Sequence, residues 1–123
     1  MNRILTLLAL SFALIQAQAS HAHHSFAAEF TADDPMTIEG VITEIWFRNP
    51  HARYYVDVML EDGNVEHWDT RAGSPSLMTR RGWTRNSINE GDRVVLFGHR
   101  AHDPARKLLS IIWVELADGT RLE

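Results

Sequence analysis

Residues 53–60 limit what this chain can fold into more than any other stretch. Tyr54, Val56, Val58 and Leu60 alternate with Arg53, Tyr55, Asp57 and Met59, the two-residue period of a strand with one buried face. Glu61-Asp62-Gly63-Asn64 follows as a hairpin turn, in which Gly63 supplies the positive φ that such turns require, and residues 65–70 form the return strand. Upstream, residues 37–47 are rich in β-branched and aromatic side chains and read as a first strand. The period then breaks once. Ser74-Pro75 is a helix start, a capping hydroxyl followed by a proline whose missing N–H costs nothing there, and the short helix stops at Gly82. Beyond the turn at Glu90-Gly91-Asp92, residues 93–99 and 108–116 are two further strands around a loop at 101–106, and Asp118-Gly119 closes the chain. Residues 23–36, ended by Pro35, read as irregular. Three strands, one short helix and two strands are the order of a mainly β, five-stranded OB-like Greek-key barrel, with the helix filling the gap between strands three and four. A small open meander is the alternative, but only closure removes the exposed sheet edges. The expected organisation is a single domain over residues 37–123.

The first 22 residues have a different logic. Arg3 provides a positive start, residues 4–15 form an apolar to weakly polar run, and small and polar residues follow. That is the layout of a secretory signal peptide, and the run is too short to span a bilayer. Cleavage after Ala19 or after Ala22 satisfies the small-x-small rule. The second leaves a polar region of standard length and makes His23 the first residue. The expected location is a bacterial periplasm.

Composition narrows the function classes. The 123 residues carry a net charge of -4, and losing Arg3 with the leader makes it more negative. Non-specific phosphate binding needs a basic footprint, so nucleic acid is not an expected partner, nor is a membrane once the leader is removed. There is no cysteine, which excludes disulfides, thiolate metal sites and cysteine nucleophiles. The chain contains no Gly-x-Ser-x-Gly, no phosphate-binding glycine loop and no His-Glu-x-x-His, so it is not expected to be an enzyme.

Histidine is the remaining chemistry. Beyond the leader lie His23, His24, His51, His67, His99 and His102, and imidazole suits copper, zinc and nickel. As a first residue, His23 offers an α-amine beside its ring nitrogen. A further imidazole from His51, His67 or His99 would complete a three-nitrogen site of the histidine-brace kind, which favours copper. In an OB-like barrel the loops after strands one and four flank a ligand face made by strands two and three. His51 falls in the first loop, His102 in the second and His67 on strand three, while His99 ends strand four. His24 points to the opposite side of an extended chain from His23. Against these readings, a single histidine more often satisfies a local hydrogen bond, and Asn49-Pro50 before His51 is also a plain turn starter. A second candidate surface is Trp83 with Arg80, Arg81 and Arg85, suited to a small anion, a glycan or a protein partner; tryptophan is more often core.

The combination of His23-His24-Ser25-Phe26-Ala27-Ala28-Glu29-Phe30, Gly40-Val41-Ile42-Thr43-Glu44, Asn49-Pro50-His51-Ala52 and Arg81-Gly82-Trp83-Thr84-Arg85 resembles a family of small secreted bacterial proteins of unknown function. The resemblance covers nearly all of residues 23–123. It implies a periplasmic single domain and transfers no catalytic residue, and it carries the His-His-Ser-Phe and Asn-Pro-His segments onto His23, His24 and His51. Phe47 stands where that pattern has tryptophan, and His99 and His102 stand where it does not usually have histidine, which favours His23 and His51 as the pair. The leading expectation is a periplasmic, non-catalytic protein that binds copper through His23 and His51, with His67 as a further candidate ligand. The alternative is a metal-free module that uses Trp83, Arg81 and Arg85, with His24 beside them, to hold a small ligand or a periplasmic protein.

Overall fold

The computed structural model describes residues 26–123. Residues 26–29 are helical and run into β1 (Phe30–Trp46), which is 17 residues long because it serves two partners. Its first part pairs antiparallel with β4 (Arg93–Ala101), from Phe30↔Ala101 to Val41↔Arg93, and its last part with β2 (Arg53–Met59), from Val41↔Asp57 to Trp46↔Arg53. The strand changes partner beside Gly40, where a Cβ would run into the backbone carbonyl oxygen of Asp57 and lie 2.7 Å from Val56 Cγ1. Only glycine lets the two backbones approach this closely.

The hairpin expected around Gly63 is present, with Gly63 at φ 85° and β2 paired with β3 (Val65–Arg71) from Arg53↔Arg71 to Met59↔Val65. Helix α1 (Pro75–Arg80) starts where the Ser74-Pro75 signal placed it, and the Ser74 side chain caps it by accepting from Leu77 N. β4 then pairs with β5 (Leu108–Leu116). The step that makes a barrel is the short parallel pairing of β3 with β5, Asp69↔Leu108 to Arg71↔Ser110. It joins the strands into a ring in the order β1-β2-β3-β5-β4. The fold is therefore the expected mainly β, OB-like barrel with one helix between the third and fourth strands.

Its interior is the inward face of those alternating segments. Ile42, Tyr54, Val56, Leu96, Leu109 and Val114 are essentially fully buried, and Met78, Trp83 and Ile88 come in from α1 and the chain that follows it. Among the described residues the one polar side chain buried with them, Thr70, donates its hydroxyl to Tyr54 O at 2.6 Å, which satisfies it inside the apolar interior. Phe30, Ala101 and Leu108 form a second, smaller cluster.

One expectation needs correction. Residues 30–36, read as irregular, belong to β1. Asp33, Asp34 and Pro35 are poor strand formers, and the pairing with β4 absorbs them as an irregularity between Phe30↔Ala101 and Pro35↔His99. The ring has the expected five strands, and a short sixth is added outside it. After the turn at Gly119, β6 (Arg121–Leu122) folds back on Val114 and Glu115.

Candidate functional site

The N-terminal segment is tied to the barrel by side chains far from it in sequence. The Phe26 ring stacks on Phe30 at 5.2 Å and meets the edge of His99 at 5.7 Å. The carbonyl of Ala27 accepts from His102 Nε2 at 2.8 Å, which assigns the proton of that imidazole to Nε2, and His102 N donates to Glu29 O. Glu29 is the centre of the clamp. One carboxylate oxygen takes Arg71 Nη1 at 2.8 Å and the other Arg106 Nη2 at 3.0 Å. Partial burial pushes the Glu29 carboxyl up, but the Arg106 hydrogen bond and the charge and hydrogen bond of Arg71 outweigh it and hold the group below the usual glutamate value.

His51 stands on the same side. The β1–β2 loop, residues 47–52, is bonded to the β3–α1 junction through Ala52 N to Gly73 O at 3.0 Å and Ala72 N to Ala52 O at 2.9 Å. His51 Nδ1 lies 3.1 Å from Ala72 O. A carbonyl can only accept, so Nδ1 carries the proton and Nε2 keeps its lone pair. A ring oriented by a backbone carbonyl with its other nitrogen free is how metal-binding histidines are commonly held. His51 shares a cavity of about 360 Å³ with Phe26, Glu29, Phe30, Arg71 and Ser110, so the N-terminal segment and the β1–β2 loop border one space.

His67 is elsewhere. It is exposed on β3 and its Nδ1 pairs with Asp57 Oδ1 at 2.6 Å. Along the β2–β3 ladder it lies four positions from Arg71, about 13 Å at strand rise, so the structure does not bring His67 and His51 together. His67 instead borders a groove of about 550 Å³ on the outward face of β1–β3, with Thr43, Tyr55, Asp57, Asp69 and Lys107. At the head of that face Trp46 meets Tyr55 edge-on at 5.4 Å, and the Arg48 guanidinium lies 4.1 Å from the centre of the Trp46 ring. His23 and His24 lie outside the described residues. Among the described residues, no group of three or more His, Asp or Glu side chains is arranged to hold a metal ion.

Trp83 does not form a binding surface. It is 3% exposed, its Nε1 donates to Glu123 O at 3.0 Å, and its ring packs 6.1 Å from Tyr54. The reason is the helix end. Gly82, at φ 91°, reverses the chain so that Trp83 N returns to Met78 O and the indole turns inward as a plug. Arg81 and Arg85 stay exposed, and Arg85 donates to Phe47 O at 3.2 Å and lies over the Phe47 ring at 5.7 Å. The residues that sequence reasoning passed over are Phe26, Glu29, Arg71 and Arg106. Phe26 and Glu29 sit within the motif that begins at His23, but nothing local marks the two arginines as their partners.

The family model described as a family of unknown function (DUF6152) matches residues 12–110. The chain belongs to DUF6152. No curated protein matches it. Among solved structures, this DUF6152 protein is similar to the crystal structure of the mitochondrial single-stranded DNA binding protein Rim1 from S. cerevisiae. The identity is 15%, the match covers 68% of this chain and 93% of the other, and the TM-score is 0.53. The similarity is one of fold. It nevertheless corrects the expectation that ruled nucleic acid out, because this barrel is shared with a protein that binds single-stranded DNA. Net charge alone does not decide against such a partner when cations and aromatic rings cluster locally, as Arg48, Trp46 and Tyr55 do.

Proposed function

We propose that this DUF6152 protein is an exported, periplasmic, non-catalytic binding protein, and that it holds copper where its N-terminal segment meets the β1–β2 loop. The observation that carries the reading is the state of His51: Nδ1–H is committed to Ala72 O, Nε2 is free, and the cavity it borders is also bordered by Phe26. His23 is three residues before Phe26, a tether of at most about 10 Å. Its α-amine and ring nitrogen, with His51 Nε2, make an all-nitrogen donor set that suits copper. The described residues hold no metal group of their own, so the reading requires the amine of His23.

The test is Cu(II) titration of exported protein whose first residue is confirmed by mass spectrometry, beside a version with one extra residue ahead of His23 and a His51→Ala variant. One-to-one binding that the extension abolishes and that His51→Ala weakens at least about tenfold is the expected result. Binding indifferent to both changes overturns it.

A second reading is favoured by one observation, the Arg48–Trp46–Tyr55 stack at the head of the outward β1–β3 face. On OB barrels that face takes oligonucleotides or oligosaccharides, and stacked rings with a cation suit a single strand. Anisotropy of a labelled single-stranded oligonucleotide, lost in Arg48→Ala and Trp46→Ala, supports it. No change on adding protein removes it.

A further inference from the structure

The charges of this acidic protein are sorted. Among the described residues, every Lys and Arg outside two places is ion-paired with an Asp or Glu. The exceptions are Arg48, which lies on Trp46, and the trio Arg80, Arg81 and Arg85 at the end of α1 and just after it. All three of the trio are exposed, and residues 1–25 contain no Asp or Glu to pair with them. Glu123 borders the same shallow depression as Arg81 but forms no ion pair with it. With -4 for the whole chain, everything outside the trio sums to about -7, so the molecule is polarised: one cationic spot on an anionic body.

Apolar side chains stand among these cations. Leu77, one helical turn before Arg81, is 41% exposed, and Ile112 is 38% exposed. Both border the depression that contains Arg81. Aliphatic groups held out in water beside unpaired arginines do little for a nucleic-acid strand, which needs aromatic faces to stack on. Here Trp83 is buried and the Phe47 ring is covered by Arg85. The same pair of features suits a phospholipid surface, where guanidinium groups meet headgroup phosphates and aliphatic tips enter the acyl boundary.

We infer that the end of the barrel carrying Arg80, Arg81, Arg85, Leu77 and Ile112 is a docking surface for an anionic phospholipid membrane. The negative remainder of the molecule is repelled by the same surface, so the protein lies on the membrane in one orientation. Attachment is peripheral: no helix among the described residues is long and apolar enough to cross a membrane. The inference is independent of copper, since none of its residues borders the cavity that holds His51.

The test is co-sedimentation with phosphatidylglycerol-containing vesicles and with phosphatidylcholine-only vesicles. The unsubstituted protein, Arg80→Glu/Arg81→Glu and Leu77→Ser are compared, all with the same N-terminus so that any leader contributes equally. These positions are exposed, and circular dichroism checks that each variant folds. Binding is expected to the anionic vesicles only and to fall in about 0.5 M salt. Each surface cation is worth about fivefold in affinity, so the double variant should lose at least about 20-fold, and Leu77→Ser about fivefold. The inference is overturned by any of three results. These are no binding to anionic vesicles, binding unchanged in the double variant, or an unchanged Leu77→Ser together with displacement by inorganic phosphate or a single-stranded oligonucleotide, which would make the trio a plain anion site.

Discussion

Two regions of the barrel are held by opposite physics. In one, α1 and the segment after it push Met78, Trp83 and Ile88 into the interior, an apolar plug held by burial. In the other, the turn of residues 26–29 is clamped by polar contacts, Glu29 between Arg71 and Arg106 and Ala27 O on His102, beside a small apolar patch of Phe26 on Phe30 and His99 and of Phe30 on Ala101 and Leu108. Burial of a tryptophan is worth several kcal/mol and responds neither to pH nor to the screening of charges by salt. Ion pairs that keep a quarter or more of their carboxylate exposed are worth far less and respond to both. The plug therefore carries stability, whereas the clamp sets the position of the segment leading back to His23. A binding site built beside the clamp can be loosened without removing the plug.

The sharpest way to break this comparison is at Trp83. Trp83→Ala should cost about 3–5 kcal/mol, measured by urea unfolding with Trp fluorescence and far-UV dichroism together. A loss below 1 kcal/mol would mean that the helix end is not a plug. Next in size is the alkaline limb. Burial pushes the Tyr54 hydroxyl up to about 12, above its value near 10 in an unfolded chain. The buried tyrosine therefore contributes its full stabilisation below about pH 10, and that contribution falls as pH rises through the folded value. The expected loss between those limits is about 2–3 kcal/mol, followed as the tyrosinate absorbance that appears together with unfolding. A Tyr54 that titrates near pH 10 in the folded protein would contradict its burial.

At the clamp the effects are smaller and reversed in pH. Glu29→Gln should cost about 1 kcal/mol near neutral pH. Because the folded pKa of Glu29 is depressed, its contribution is present above the usual glutamate value and disappears as pH falls through the lower, folded one. The stability gap between Glu29→Gln and the unsubstituted protein should therefore close below about pH 4, as read from paired urea titrations. A gap that is constant with pH would mean the ion pairs do not hold the segment. The smallest effect belongs to Arg85→Ala, below about 0.5 kcal/mol, since its bond to Phe47 O is exposed. A larger loss would show that the β1–β2 loop depends on the helix end.

The sequence by itself determined the strand-strand-strand-helix-strand-strand order. Each of those elements is a local pattern: alternation at Tyr54 to Leu60, a glycine turn at Gly63, a capping Ser74 before Pro75. It also marked the motif that contains Phe26 and Glu29, and placed His51 in the loop after the first strand. Tertiary structure alone decided what depends on meetings across the chain. Asp33 and Asp34 lie within a strand because β4, far downstream, pairs with Phe30 and Pro35 on either side of them. Trp83 is core rather than surface because Gly82 turns it toward Tyr54, and an arginine-flanked tryptophan reads the same in a sequence either way. Arg71 and Arg106 became partners of Glu29 only when the parallel pairing of β3 with β5 brought the end of one strand beside the β4–β5 loop. Local periodicity carries the burial of each element, but the identity of a side chain's neighbour is set by barrel closure, which no local window contains.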